Sequence, residues 1–119
     1  MAERTPGELL GELCGETVAI TRRHWGKGPT KCRASWAGPD TLLLMLSGGL
    51  TAAEQTVRSA GHENDVMAFR GLYHEAMNDR MSDLVERLTG RTVRAAMNAS
   101  HADPDLTALL FVLESDEPD

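Results

Sequence analysis

Aromatic side chains are scarce in this sequence: two Trp, one Tyr and two Phe make up 4% of 119 residues. A core built without them must rest on Leu, Val, Ala and Met, and the 41% hydrophobic content is enough for one modest domain. Long apolar runs are missing too. The longest, Leu106 to Leu113, is interrupted by Thr107 and has the length of a strand. A bilayer crossing takes roughly 20 apolar residues, so no direct membrane insertion is expected. Met1 to Glu8 hold no apolar stretch of the kind a secretory signal needs. Cysteine is limited to Cys14 and Cys32, which form neither a disulfide framework nor a CxxC pair. Both are expected to be reduced and structural, in a cytoplasmic protein.

One stretch has no acidic residue. Arg22, Arg23, Lys27, Lys31 and Arg33 crowd a segment free of Asp and Glu, although the chain as a whole carries a net charge of −6. The acidic balance excludes a non-specific nucleic-acid binder. The local basic cluster suits one small anion or an acidic partner. Catalytic signatures are also lacking. No HExxH, G-x-S-x-G, dinucleotide fingerprint or Cys–His nucleophile pattern occurs, and no cofactor is implied.

The residues that are present give a clear order of elements. Thr5-Pro6-Gly7-Glu8 fits a capped helix start, and Leu10, Leu13, Thr17, Ile20 and His24 follow at helical spacing. Gly26 and Gly28 end this helix near Trp25. In Thr30 to Trp36, Cys32, Ala34 and Trp36 alternate with Lys31, Arg33 and Ser35, the period of a half-buried strand. After the Pro39-Asp40 turn, Thr41 to Leu46 is apolar on both faces. Thr51 to Glu54 is a second capping box, opening a short helix that Gly61 breaks. A longer helix is predicted from about His62 to Leu88, with Val66, Phe69, Tyr73, Met77, Met81, Leu84 and Leu88 on one stripe. Val93, Ala95, Met97 and Ala99 alternate as a third strand, and Leu106 to Leu113 forms the fourth.

These elements predict a single α+β domain of αββαββ order, with a core over about 7–114 and an acidic tail over 115–119. Four mainly antiparallel strands would carry helices on one face. Gly28 to Ala34 parallels Gly90 to Ala95 with one residue dropped, and Pro39-Asp40-Thr41 parallels Pro104-Asp105-Leu106. The parallels fit an internal αββ duplication. They also fit the plainer need of any helix–hairpin unit for a glycine before its strand and a Pro-Asp turn inside it.

Two turns are candidate sites. Gly28, Thr30, Lys31 and Arg33 lie where a helix passes into a strand, with Lys31 and Arg33 two positions apart and so on one face. The order is wrong for a phosphate loop, and Pro29 removes an amide donor. An anion or carboxylate clamp is one reading. A solvated basic face is the commoner arrangement. In the second turn, His101, Asp103 and Asp105 place an imidazole and two carboxylates at alternate positions, a conceivable metal-assisted catalytic set. Asp103-Pro104-Asp105 is equally ordinary turn chemistry, and its spacing matches no standard metal motif.

Taken in order, Gly28-Pro29-Thr30-Lys31, Gly48 to Glu54, Leu88 to Val93, His101 to Asp105 and Phe111 to Glu114 resemble the MpsC-like family over about Gly7 to Glu114. The resemblance implies a setting: a sodium-translocating, membrane-potential-generating system that is also connected with bicarbonate supply. With no membrane-length apolar run, any role there would be peripheral, and the resemblance supplies no catalytic residues. Met97 to Ser100 departs from the family in lacking an acidic approach to the histidine.

The resulting expectation is a non-catalytic cytoplasmic accessory or regulatory protein. It would be a homodimer that binds a protein partner or a small anion, the protein partner lying on the cytoplasmic side of a membrane complex. A structural adaptor of that complex and a metal-assisted enzyme are the alternatives. Leu43, Met45, Leu110 and Val112 are the residues expected to lie on the sheet face that the helices leave for a second subunit.

Overall fold

A computed structural model of the chain describes residues 5–115. The elements run α1 (Pro6–Trp25), β1 (Lys31–Trp36), β2 (Thr41–Ser47), α2 (Ala52–Ser59), α3 (Glu63–Ala76), α4 (Asn78–Thr89), β3 (Val93–His101) and β4 (Leu106–Leu113). This is the α+β arrangement expected, with four strands in the order β1-β2-β4-β3, all neighbours antiparallel. Of the acidic tail, 116–119 lie outside the described residues.

Local chemistry accounts for the helix ends. The Thr5 hydroxyl accepts the Glu8 amide, Pro6 opens α1, and Gly26 closes it at φ 97°. Thr51 and Glu54 form a complete capping box on α2. Gly90 closes α4 at φ 71°. The helices gather on one sheet face, α1 against β1 and α4, and α3 and α4 against β3. Leu42, Leu44, Leu46, Leu109, Phe111 and Leu113 point into this layer and meet Leu13, Met81, Leu84, Val85 and Leu88.

Two sequence expectations need correction. The long helix is divided at Met77, whose backbone (φ −91°, ψ −2°) caps α3 and starts α4. Asn78 and Asp79 follow, residues suited to a helix start rather than an interior. Met77 is itself buried at this junction. Along that stripe Phe69 is not core: it is 60% exposed. In β3 the register shifts between Val93 and Ala95. The extra residue keeps Val93 and Ala96 on the helix side and turns Ala95, Met97 and Ala99 outward. Asn98 and Ser100 therefore face the helices, where the Ser100 and Thr107 hydroxyls meet at 3.0 Å.

The sheet has an internal dyad. β2 and β4 pair about Leu44 and Leu109, with Thr41 opposite Val112 and Ser47 opposite Leu106. Turning the sheet half a revolution about that pair exchanges Thr41 with Leu106, the match seen in the sequence parallel. The turns obey the same symmetry: Gly48 N donates to Asp105 O at 3.1 Å, and Leu113 N donates to Asp40 O at 2.7 Å. Where the parallel matched Gly28 with Gly90, the helix caps equate Gly90 with Gly26.

Candidate functional site

Among the described residues, no helix packs on the outer face of the sheet. Its rows follow from the register. Ser35, Leu43, Leu110 and Met97 lie side by side, and next to them Arg33, Met45, Ala108 and Ala99. Leu43, Met45, Leu110 and Val112 are half-buried and Met97 is 49% exposed, so an apolar strip crosses the face. Because side chains alternate along a strand, Lys31 and Arg33 project from β1 on this same face, while Cys32 and Ala34 turn toward α1. A shallow depression there is lined by Thr30, Lys31, Cys32, Arg33, Met45 and Ser47.

The four residues of the first candidate turn divide into two roles. Thr30 is structural, its hydroxyl donating to Ser47 O at 2.9 Å and its amide to the same oxygen at 2.8 Å. Gly28 is structural as well. A Cβ there would press within 3.2 Å of Val18. Lys31 and Arg33 are exposed.

The side chains of the second turn do not converge. His101 Nδ1 meets Pro104 O at 2.9 Å, Asp103 reaches Arg58 Nη2 at 3.8 Å with 82% of its side chain exposed, and Asp105 pairs with Arg70. The three side chains go to three different partners, and no group of metal-ligating residues converges among the described residues. Asp105 is the dyad mate of Asp40, which pairs with Arg91. The aspartate of each Pro-Asp turn is thus held by an arginine, Arg70 or Arg91, and both arginines come from the second half of the chain. Lys31 and His101 lie in one row with Ser47 and Leu106, at opposite edges. Three strand spacings, about 14 Å, separate them, so the two turns do not form one site.

Sequence reasoning missed a buried polar knot. Arg70, 5% exposed at its side chain, donates Nε to Glu54 Oε2 at 3.1 Å and holds Asp105 with both terminal nitrogens. Glu54 Oε1 also accepts Trp25 Nε1 at 3.1 Å and the Thr51 amide at 2.9 Å. His74 lies nearby, and burial followed by the Arg70 charge lowers its pKa to about 4. Next to the knot, Trp25 packs on Tyr73 (4.6 Å between ring centres) and Phe69 (5.5 Å). With Val57 and Val66 these rings line an open groove of about 530 Å³. Its signal in the sequence was Arg70 itself, a cation set between the stripe residues Phe69 and Tyr73.

The family model described as "Na+-translocating membrane potential-generating system (MpsC)" matches residues 5–115. The chain belongs to the MpsC family. No curated protein and no solved structure matches it. No described helix of this MpsC-family chain is long and apolar enough to cross a membrane.

Proposed function

We propose that this MpsC-family protein is a non-catalytic accessory or regulatory module on the cytoplasmic side of a cation- or bicarbonate-translocating membrane system. It dimerises through the outer face of its sheet and meets an acidic protein segment or a small anion at Lys31 and Arg33. The observation that carries the reading is the apolar strip of Leu43, Met45, Leu110, Val112 and Met97 on a face that no helix covers. Such a face is more stable when a partner shields it, and a symmetric second copy is the commonest cover. The basic pair borders the strip, so a dimer would leave it at the rim, where charge steers encounter more than it adds affinity. The family description supplies the membrane system, and the lack of a crossing helix among the described residues agrees with a peripheral role.

Light scattering on the purified chain tests the dimer. The wild type is expected at twice the chain mass and Leu110→Lys at the monomer mass, with unchanged helix content. A monomeric wild type refutes the reading. Capture from detergent-solubilised native membranes tests the basic edge: Lys31→Ala with Arg33→Ala should lose the partner that the wild type retains, and equal capture would remove the edge from the proposal.

A further inference from the structure

The two cysteines of the chain, far apart in sequence, meet in the fold. Cys14 lies on the inner side of α1 and Cys32 on the inward face of β1, and their sulfurs are 3.0 Å apart across 18 positions. A disulfide bond is about 2.05 Å long, so closing it asks the sulfurs to approach by roughly 1 Å. Both residues are partly exposed, which gives a small reagent access.

We propose that Cys14 and Cys32 form a thiol modification site, in which a low-molecular-weight disulfide of the glutathione class oxidises the pair to an intramolecular disulfide fastening α1 to β1. The chemistry divides unequally between the two sulfurs. Cys32 donates its S–H toward Cys14, and burial, then that hydrogen bond, raise the Cys32 pKa. Cys32 is therefore the weaker nucleophile of the two, because the thiolate is the attacking form. Cys14 gives its proton to solvent and its sulfur attacks one sulfur of the reagent, forming a mixed disulfide and expelling one glutathione thiolate. Cys32 then gives its proton to solvent and attacks the Cys14 sulfur, expelling the second glutathione thiolate. Two protein thiols are oxidised and one reagent disulfide is reduced to two thiols.

The product would pin an edge strand. Among the described residues β1 pairs only with β2, and Cys32 stands between Lys31 and Arg33 on the opposite face. Oxidation thus removes freedom from the strand that presents the basic pair. The site rests on the sulfur contact and is independent of the dimer proposed above.

The test uses the full chain treated with excess oxidised glutathione, quenched with iodoacetamide and weighed by mass spectrometry. The wild type should lose two hydrogens, carry no glutathione, run as a single chain on a non-reducing gel and return to the dithiol with dithiothreitol. Its melting temperature should rise by about 10 °C on oxidation, as closing a loop of this length predicts. The Cys32→Ser variant should accumulate a glutathione adduct at Cys14 faster than Cys14→Ser does at Cys32. Stable glutathione adducts on the wild type, disulfide-linked dimers, unreacted thiols or a lower melting temperature would each overturn the site. Faster reaction at Cys32 would overturn the assigned order of attack.

Discussion

Asp105 of the second Pro-Asp turn receives both terminal nitrogens of Arg70, while Nε of the same guanidinium reaches Glu54 Oε2 at 3.1 Å. One buried cation thus joins α2, α3 and the β3–β4 turn. Removing one member of such a set leaves an uncompensated buried charge, which costs far more than the intact set contributes.

Arg70→Met should therefore destabilise the chain by about 3–5 kcal/mol, since it strands two carboxylates. Asp105→Asn should cost less, about 1–2 kcal/mol, because Glu54 keeps its partner. Urea unfolding followed by circular dichroism gives both values. A loss below about 1 kcal/mol for Arg70→Met would mean that water reaches the knot.

His74 makes stability depend on pH. Its pKa in the fold, about 4, lies below the ordinary 6.5, so the unfolded chain takes up the proton first. The contribution is complete above pH 6.5 and is lost as pH falls toward 4. Its size, discounted for partial exposure, is about 2 kcal/mol. His74→Gln should flatten this part of the stability–pH curve. An unchanged slope in that variant would assign the loss to other groups.

Gly48 has φ 75°, and a Cβ there would stand 2.4 Å from the Thr30 hydroxyl oxygen. Strain and overlap act together, so Gly48→Ala should cost about 2–3 kcal/mol. Thr30→Ala removes the overlapping atom and loses one hydrogen bond, about 1 kcal/mol alone. The double variant should be less damaged than the two losses added, a coupling that thermal or urea unfolding measures directly. Strict additivity would show that the two residues do not touch.

Lys31 and Arg33 should behave in the opposite way. Both are exposed on β1, so replacing them with Ala should leave the unfolding free energy within about 0.5 kcal/mol of the wild type. Coincident urea curves would establish that any binding lost by the pair reflects the surface and not the fold. A larger shift would make them structural residues.

Local signals carried much of the architecture. Thr5, Thr51, Gly26 and Gly90 act where caps are expected, because capping chemistry involves residues only a few positions apart. The alternation of Lys31, Cys32, Arg33 and Ala34 correctly separated the two faces of β1. The apolar runs of β2 and β4 implied two occupied faces, and Leu43, Met45, Leu110 and Val112 do lie on the face away from the helices.

Other features depended on pairs far apart in the chain. No proline or glycine stands next to position 77 in the sequence; the helix divides where Met77 enters the core. The β3 register shift turned Ala95, Met97 and Ala99 outward, because an inserted residue reverses a two-residue period. The His101, Asp103 and Asp105 pattern was legible, but its meaning rested on Arg70 and Arg58, which lie dozens of positions upstream and draw the carboxylates apart. The sequence by itself determined the order of elements, their caps and the alternation of their faces, all set by neighbours along the chain. Only the tertiary structure decided which charges are buried together, which face stays open, and that Cys14 meets Cys32, since each is a contact between elements whose separation no local spacing encodes.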